Sequence, residues 1–383
     1  MIARYDIAVI GAGVAGAMSA LLLGRRGHRV LLIDKARRGR NKVCGCCLNP
    51  RAIAELQAAG QDHVIDAAMP LYQAEVHAAG RTATLGLPAG VAVSRQRLDQ
   101  ALIQAAEQTG VTFRDQAVGR VEPNGVRVLR QGEAVRVRAG VVLVADGLAG
   151  SALSGHRDFA RRVRPQSKRG YGAHLPAGRH DHPLERISMR CGRSGYLGAV
   201  VLEDGSLDIA AAIDPAAVKR AGGIAPAAQQ IVDASGLPLP TRQGLDGLKW
   251  NATPPLTGRR PRRWSPGLPG VLLIGDSAGY IEPFTGEGMA WALSGARAVT
   301  GIVEPILSQG WSDRHGRAWD TAYRRHVARQ QWRCRATAAL LRRPRLTAGL
   351  VGLVAALPAS LDSVVGHVLT PGRPVQQAFG GTP

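Results

Sequence analysis

Residues 5–34 read YDIAVIGAGVAGAMSALLLGRRGHRVLLID. Residues 5–10 are a short apolar run rich in β-branched side chains, which reads as a buried strand. GAGVAG turns the chain at 11–16. AGAMSALLLGRRG at 15–27 has helical spacing and stops at Gly27, and HRVLLID at 28–34 is a second buried strand. This is a βαβ unit. Gly11, Gly13 and Gly16 allow a tight turn and close approach of the backbone to a pyrophosphate, and the helix start offers that anion free N–H groups and a positive dipole end. Asp34 can accept hydrogen bonds from a ribose. A GxGxxG between two strands, with an acid about twenty residues on, is a dinucleotide signal. It does not separate NAD from FAD.

Working outward, the 383-residue chain is long enough for two domains. Its 48 glycines and 4% aromatic content point to a turn-rich α/β protein rather than a β-sandwich. The formal charge of +21 is almost all arginine, scattered in short groups such as Arg161-Arg162 and Arg259-Arg260. With no long basic run and no interleaved aromatic platform, this reads as a basic surface that attracts anionic cofactors, lipids or acyl carriers, not as a nucleic-acid site. Five scattered cysteines make no disulfide framework. The N-terminal apolar run is too short for a signal peptide, and no run of about 18 apolar residues exists. A cytoplasmic chain without a transmembrane helix is expected.

Downstream, Asn49-Pro50 reads as a helix start, with RAIAELQAAG as the helix. Residues 64–94 read as strands and SRQRLDQALIQAAEQTG as an amphipathic helix. Residues 111–138 read as a strand, a bulge at Pro123-Asn124-Gly125 and a hairpin at Gln131-Gly132, before the buried strand AGVVLVADG. Short strands between 156 and 250, followed by a helix at 215–235, suggest an antiparallel sheet inserted into the first domain. Helices fill most of the chain from 287 onward. The expected division is a nucleotide-binding domain at 1–65, 95–155 and 266–310, a substrate domain at 66–94 and 156–265, and C-terminal helices at 311–383.

A second motif, GDSAGYIEPFTGEGM at 275–289, follows the apolar strand GVLLI. It is a strand ending in the acid Asp276, then a glycine turn, then a helix start. The carboxylate is placed to bind a polyol, and the helix dipole would stabilise negative charge on whatever lies beyond it.

KVCGCCLN at 42–49 holds three of the five cysteines. Vicinal Cys46 and Cys47 have Cα atoms about 3.8 Å apart, closer than disulfide geometry allows. Zinc needs a second ligand pair. His180 and His182 are the only compact histidine pair and read better as a polar turn before Pro183, so no metal is expected. A redox-active Cys44–Cys47 pair, as in a flavin-linked disulfide enzyme, stays open. Such enzymes use a C-x4-C spacing and a second GxGxxG, whereas this chain has C-x-x-C and Ala145-Asp146-Gly147. The apolar LTAGLVGLVAALPASL at 346–361 would line a substrate tunnel, touch a membrane surface, or pack as a buried helix on the nucleotide domain.

GAGVAG with Asp34, Arg95 in SRQRLD, Asp146-Gly147 in LVADGLAGS and GDSAGYIEPFTGEGM recur in this order in the FAD-dependent aromatic hydroxylase superfamily (group A flavin monooxygenases), which the chain resembles from 5 to about 310. In detail it is similar to the geranylgeranyl-reductase-like branch. That branch carries a C-G-x-x-L-[SN]-P loop, matching residues 44–50, and TGEG, seen at 285–288. The resemblance implies a Rossmann-like FAD domain with an inserted antiparallel-sheet substrate domain, FAD as cofactor and NAD(P)H as transient reductant. It places Gly11, Ala12, Gly13, Val14, Ala15, Gly16, Asp34 and Lys35 on the FAD pyrophosphate and ribose. Arg95 would reach the phosphate or ribityl region, Val118 the adenosine, and Asp146-Gly147 would support FAD. Gly275-Asp276 would hold the ribityl chain. Pro283 and Gly286, Glu287, Gly288 and Met289 would line the isoalloxazine, with Cys44 at its edge.

The reductases carry a Tyr-x-Trp-x-Phe-Pro strand over the flavin, and halogenases a Trp-x-Trp-x-Ile-Pro run. Here the comparable stretch is GYLGAV at 195–200, without Trp or Pro. That departure tips the expectation towards a monooxygenase using O2 on a hydrophobic aromatic or polyketide-like molecule. A reductase of carbon–carbon double bonds is the alternative. No catalytic side chain is forced. Cys44, Pro283 and Tyr196 are the flavin-adjacent candidates, and peripheral membrane contact fits a hydrophobic substrate.

Overall fold

A computed structural model describes residues 3–356 apart from 88, 283, 285 and 342. The opening motif folds as read: strand β1 (Ala3–Ile10), helix α1 (Val14–Gly24) and strand β2 (Val30–Ile33), with β1 and β2 parallel. Strand Glu133–Val144 lies along the other side of β1, also parallel. It is long enough to serve two further partners. Its first half pairs antiparallel with Gly125–Arg130, and its last residues pair parallel with Val271–Leu273. Strands Thr112–Arg114 and Ala117–Glu122 complete a seven-stranded sheet. The expected bulge at Pro123-Asn124-Gly125 is instead a two-residue turn between paired strands, made possible because Asn124 accepts φ 62°.

β1 and β2 read as unbroken apolar runs because α1 packs on them and strand Ala117–Glu122 covers them as well, its Gly119 lying against the Ile10 side chain. Residues 7–10 and 30–33 are buried among α1, helix Arg95–Gln108 and helix Gly288–Gln309.

The second seven-stranded sheet runs in the order Asn251–Pro255, Arg169–Leu175, Leu207–Ile213, Gly195–Val201, Arg186–Gly192, Gln73–Ala78, Arg81–Gly86. All its pairs are antiparallel except one: Arg186–Gly192 runs parallel to Gln73–Ala78, because the chain returns to the sheet from the other end. Strand alternation sets its two faces. Leu207, Ile209, Ala211 and Ile213, with Leu197, Ala199 and Val201, form a core with Ala227, Ala228, Ile231 and Val232 of helix Ile224–Ser235. The single helix expected at 215–235 is two, Pro215–Arg220 and Ile224–Ser235, separated by Gly222-Gly223. Residues 62–66, expected in part as strand, form a short helix.

A small third sheet joins Cys47–Leu48, Val91–Ala92 and Met69–Pro70. It clamps the cysteine loop between the two large sheets. Helix Pro344–Ala356 packs on strands Gln73–Ala78 and Arg81–Gly86, not on the nucleotide domain. Its Val351 is buried against the sheet, while Leu346, Leu350 and Leu353 face outward. The rest of the apolar C-terminal stretch lies outside the described residues.

Candidate active site

One cavity of about 700 Å³ runs from the start of α1 to the inner face of the second sheet. Its floor is the nucleotide motif. Gly11 has φ +106°, and a Cβ there would strike the Ala145 carbonyl. A Cβ on Gly16 would run into the Gly11 carbonyl oxygen, so helix and turn pack at backbone distance. Gly13 differs. A Cβ there would enter open space 3.2 Å from Lys42 Nζ and 3.8 Å from Arg95 Nη2. Gly13 is also the N-cap of α1 and supplies no side-chain cap, so the first N–H groups of the helix share that space with two cations. Donors and charge of this kind suit a diphosphate.

Those cations are held in place. Asp99, four residues after Arg95 on one helix face, accepts from Arg95 Nη2 at 3.0 Å and from Lys42 Nζ at 2.5 Å. Burial alone would raise the Asp99 carboxyl, but the two cations hold it below the ordinary range. Asp34 accepts from Ala12 N–H at 2.9 Å and Ala36 N–H at 2.8 Å, fixing its carboxylate at the end of β2. Asp146 accepts from Ser277 Oγ at 2.9 Å and Ala152 N–H at 2.8 Å. Gly147 N–H also donates to Ser277 Oγ, so the two loops that follow Glu133–Val144 and Val271–Leu273 are braced together. Asp276 lines the cavity, and burial pushes its carboxyl up to about 6.

Gly11, Gly13, Val14, Ala15, Asp34, Lys35, Cys44, Arg95, Val118, Asp146, Gly147, Asp276, Gly286, Gly288, Met289 and Tyr196 all line this one cavity. Ala12, Gly16 and Gly275 stand behind it as packing residues. Glu287 turns away: it is buried and its carboxylate accepts from Cys334 Sγ at 3.2 Å. Pro283 lies outside the described residues. The start of helix Gly288–Gln309 reaches the cavity, a second helix N-terminus beside the first.

The ceiling is chemically different. Tyr196, Gly198 and Val200 alternate with the core residues of their strand, as do Asp208, Ala210 and Ala212 of theirs. Tyr196 meets the edge of Phe284 with ring centroids 4.9 Å apart, and burial pushes its hydroxyl well above the usual value.

The cysteine loop joins floor to ceiling. Cys46 adopts φ 53°, the region that favours glycine, and its N–H points at Cys44 Sγ at 3.4 Å. Hydrogen bonding from Cys46 and the charge of Arg95 together overcome burial and hold the Cys44 thiol down at about 5. Burial raises Cys47, whose thiol donates to the Gly45 carbonyl at 2.9 Å. Among the described residues no group of three or more His, Cys, Asp or Glu side chains is placed to hold a metal ion. His180 and His182 form a local turn, His182 N–H donating to His180 Nδ1 at 3.2 Å.

Sequence reading missed Lys42, Asp99 and Asp208. The i,i+4 spacing of Arg95 and Asp99 was a usable signal.

A two-sheet flavoprotein fold with a nucleotide cradle at one sheet and an enclosed cavity at the other is the class these features define. The comparisons place the chain within it. Residues 4–157 match the family model described as FAD binding domain. The chain is 27% identical over 395 residues to menaquinone reductase of Mycolicibacterium smegmatis, covering 96% of this chain and 91% of that protein. Among solved structures, p-nitrophenol 4-monooxygenase from Pseudomonas putida has a TM-score of 0.77 at 15% identity, covering 96% of this chain and 97% of that one. A geranylgeranyl bacteriochlorophyll reductase-like protein from Thermoplasma acidophilum has 0.76 at 18%, covering 97% and 98%. Residues 4–157 are an FAD binding domain, the whole chain shares the fold of these solved structures, and the chain is an FAD-dependent oxidoreductase. No helix among the described residues is long and apolar enough to cross a membrane.

Proposed function

We propose that the chain is a reductase that adds hydrogen across a carbon–carbon double bond of a long, apolar, prenyl-type lipid, with NAD(P)H as the source of reducing equivalents. The observation that carries this reading is the cavity itself, which joins a cationic, glycine-built mouth to a ceiling of Gly, Ala and Val. End-to-end likeness to a menaquinone reductase supports it, as does similarity to a digeranylgeranylglycerophospholipid reductase over most of the chain.

In this reading Gly11, Gly13 and the start of α1, with Lys42 and Arg95, hold the FAD diphosphate. Asp34 and Lys35 face the ribose, Val118 the adenosine and Asp276 the ribityl chain. Gly286, Gly288 and Met289 lie against the ring system, with Cys44 at its edge and the Asp146–Gly147 loop in support. Bound there, FAD supplies hydride chemistry. The chain's own work is to orient the lipid under the ceiling, exclude water and deliver a proton. The outward leucines of helix Pro344–Ala356 support peripheral contact with the lipid phase.

The test is anaerobic incubation of the yellow holoprotein with NADPH and a prenylated naphthoquinone or a geranylgeranyl lipid in micelles. A saturated product is expected. A protein that stays colourless with added FAD would sink the cofactor assignment. The second reading, a monooxygenase, is favoured by the absence of Trp and Pro in strand Gly195–Val201. It predicts NADPH consumption that needs O2 and a hydroxylated phenol as product.

A further inference from the structure

Four acids line the cavity, and three belong to the floor. Asp34 and Asp146 spend their oxygens on backbone N–H groups and Ser277, and Asp276 stands among the cations of the mouth. Asp208 is the fourth, and the only acid that the second sheet presents to the cavity among the described residues. Its neighbours on that face are Ala210, Ala212, Gly198 and Val200. Its Oδ2 is shut off from solvent with no hydrogen-bond partner.

An ionised carboxylate in such a place carries a large desolvation cost unless it is paired. Among the described residues no cation pairs Asp208. Cys46 hydrogen-bonds the carboxyl as a neutral thiol, and Cys44 is held as an anion by its hydrogen bond with Cys46 and the charge of Arg95. Arg95 and Lys42 are themselves committed to Asp99. His174, its register partner on Arg169–Leu175, is exposed to water. Burial and the Cys44 anion outweigh the hydrogen bond from Cys46 and push the Asp208 carboxyl well above the usual range. A neutral carboxylic acid therefore faces the apolar end of the cavity, the arrangement a proton donor to carbon requires.

We propose that Asp208 is the proton donor of the reduction, an inference that rests on the reductase reading above. The π pair of the double bond forms a C–H bond with the Asp208 proton, leaving the carboxylate. FAD, held by the floor as proposed, would supply the hydride that completes the neighbouring carbon. Asp208 takes its proton back from water before the next turnover. One proton and one hydride are consumed for each bond saturated.

Two measurements test this. The first needs no substrate. The infrared difference spectrum of holoprotein, wild type minus Asp208→Asn at pH 7, is expected to show the carbonyl band of a protonated acid. Carboxylate bands alone would overturn the proposal. The second is single turnover of the NADPH-reduced holoenzyme with the prenylated naphthoquinone. Asp208→Asn is expected to keep its flavin absorbance and lose about 10²- to 10⁴-fold in product formation, while Asp208→Glu recovers part of the rate with a shifted pH profile. A variant that turns over within twofold of wild type, with an unchanged pH profile, would overturn the proton-donor role and leave the reductase reading standing. A wild type that forms no saturated product overturns both.

Discussion

The floor and the ceiling of the cavity are built on opposite rules. The floor holds its shape through backbone-to-backbone packing and charge: glycines at 11 and 16 with no room for a methyl group, and one carboxylate gripping two cations. The ceiling is a pleated surface of small side chains with one acid. The difference teaches where the fold tolerates change. A cradle for a fixed anion has to be rigid, whereas a wall for an apolar chain needs only shape and the absence of unpaired charge.

The sharpest way to break this contrast is a pair of added methyl groups. Gly16→Ala drives a Cβ into the Gly11 carbonyl, and neither backbone can yield. We expect a loss of about 3 kcal/mol, the upper end of the overpacking range, with loss of bound FAD. Gly198→Ala on the ceiling meets only the sulfur of Met189, at 2.8 Å. Because that side chain is flexible, the cost should stay under about 1.5 kcal/mol with FAD retained. Chemical denaturation and flavin absorbance read both. Equal losses would erase the distinction.

Asp99→Asn comes next. It leaves Arg95 and Lys42 partly buried without their carboxylate, at a cost of about 3 kcal/mol in urea melts at pH 7. Because the Asp99 carboxyl is depressed in the fold, its contribution is present at neutral pH. It fades as pH falls below about 4, where the unfolded carboxyl begins to take up protons. The gap between variant and wild type should close there.

Asp208 has the opposite sign. Its carboxyl is raised in the fold, so wild type loses stability as pH climbs from about 4 towards the raised value. The slope from this one proton is at most about 1.4 kcal/mol per pH unit. Asp208→Asn should flatten that part of the stability–pH curve. A curve with the wild-type slope would mean that Asp208 is ionised in the fold.

The smallest effect is spectroscopic. The ultraviolet absorbance of a thiolate should be present in the unliganded protein at pH 7 and vanish as pH falls through about 5. It should be missing throughout in Cys44→Ser. An unchanged signal in that variant would place the anion on another cysteine.

How much of this was legible in the sequence follows the same divide. The floor is local: β1, α1 and β2 lie within one 34-residue stretch, and strand–glycine–helix spacing reveals them directly. The motif at 275–289 was visible for the same reason. The sheet that carries the ceiling joins residues 73–86 to residues 186–192, more than a hundred positions on, so its one parallel pair had no local signature. Asp208 was overlooked because a single acid in LDIAAAI is ordinary for a half-exposed strand. Only the packing of helix Ile224–Ser235 on the alternate residues shows that its face points inward. Lys42 and Asp99 likewise owe their roles to a loop and a helix meeting over Gly13.

The parallel pairing of Gln73–Ala78 with Arg186–Gly192 also bears on how the protein is made. At a synthesis rate of about 5–20 residues per second, the hairpin containing residues 73–86 leaves the ribosome roughly 5–20 s before the strand that covers its open edge. For that interval it is a free sheet edge with no partner in its own chain. The second sheet cannot be cut out of the sequence as one piece, and its completion should be the slow, aggregation-exposed stage of folding.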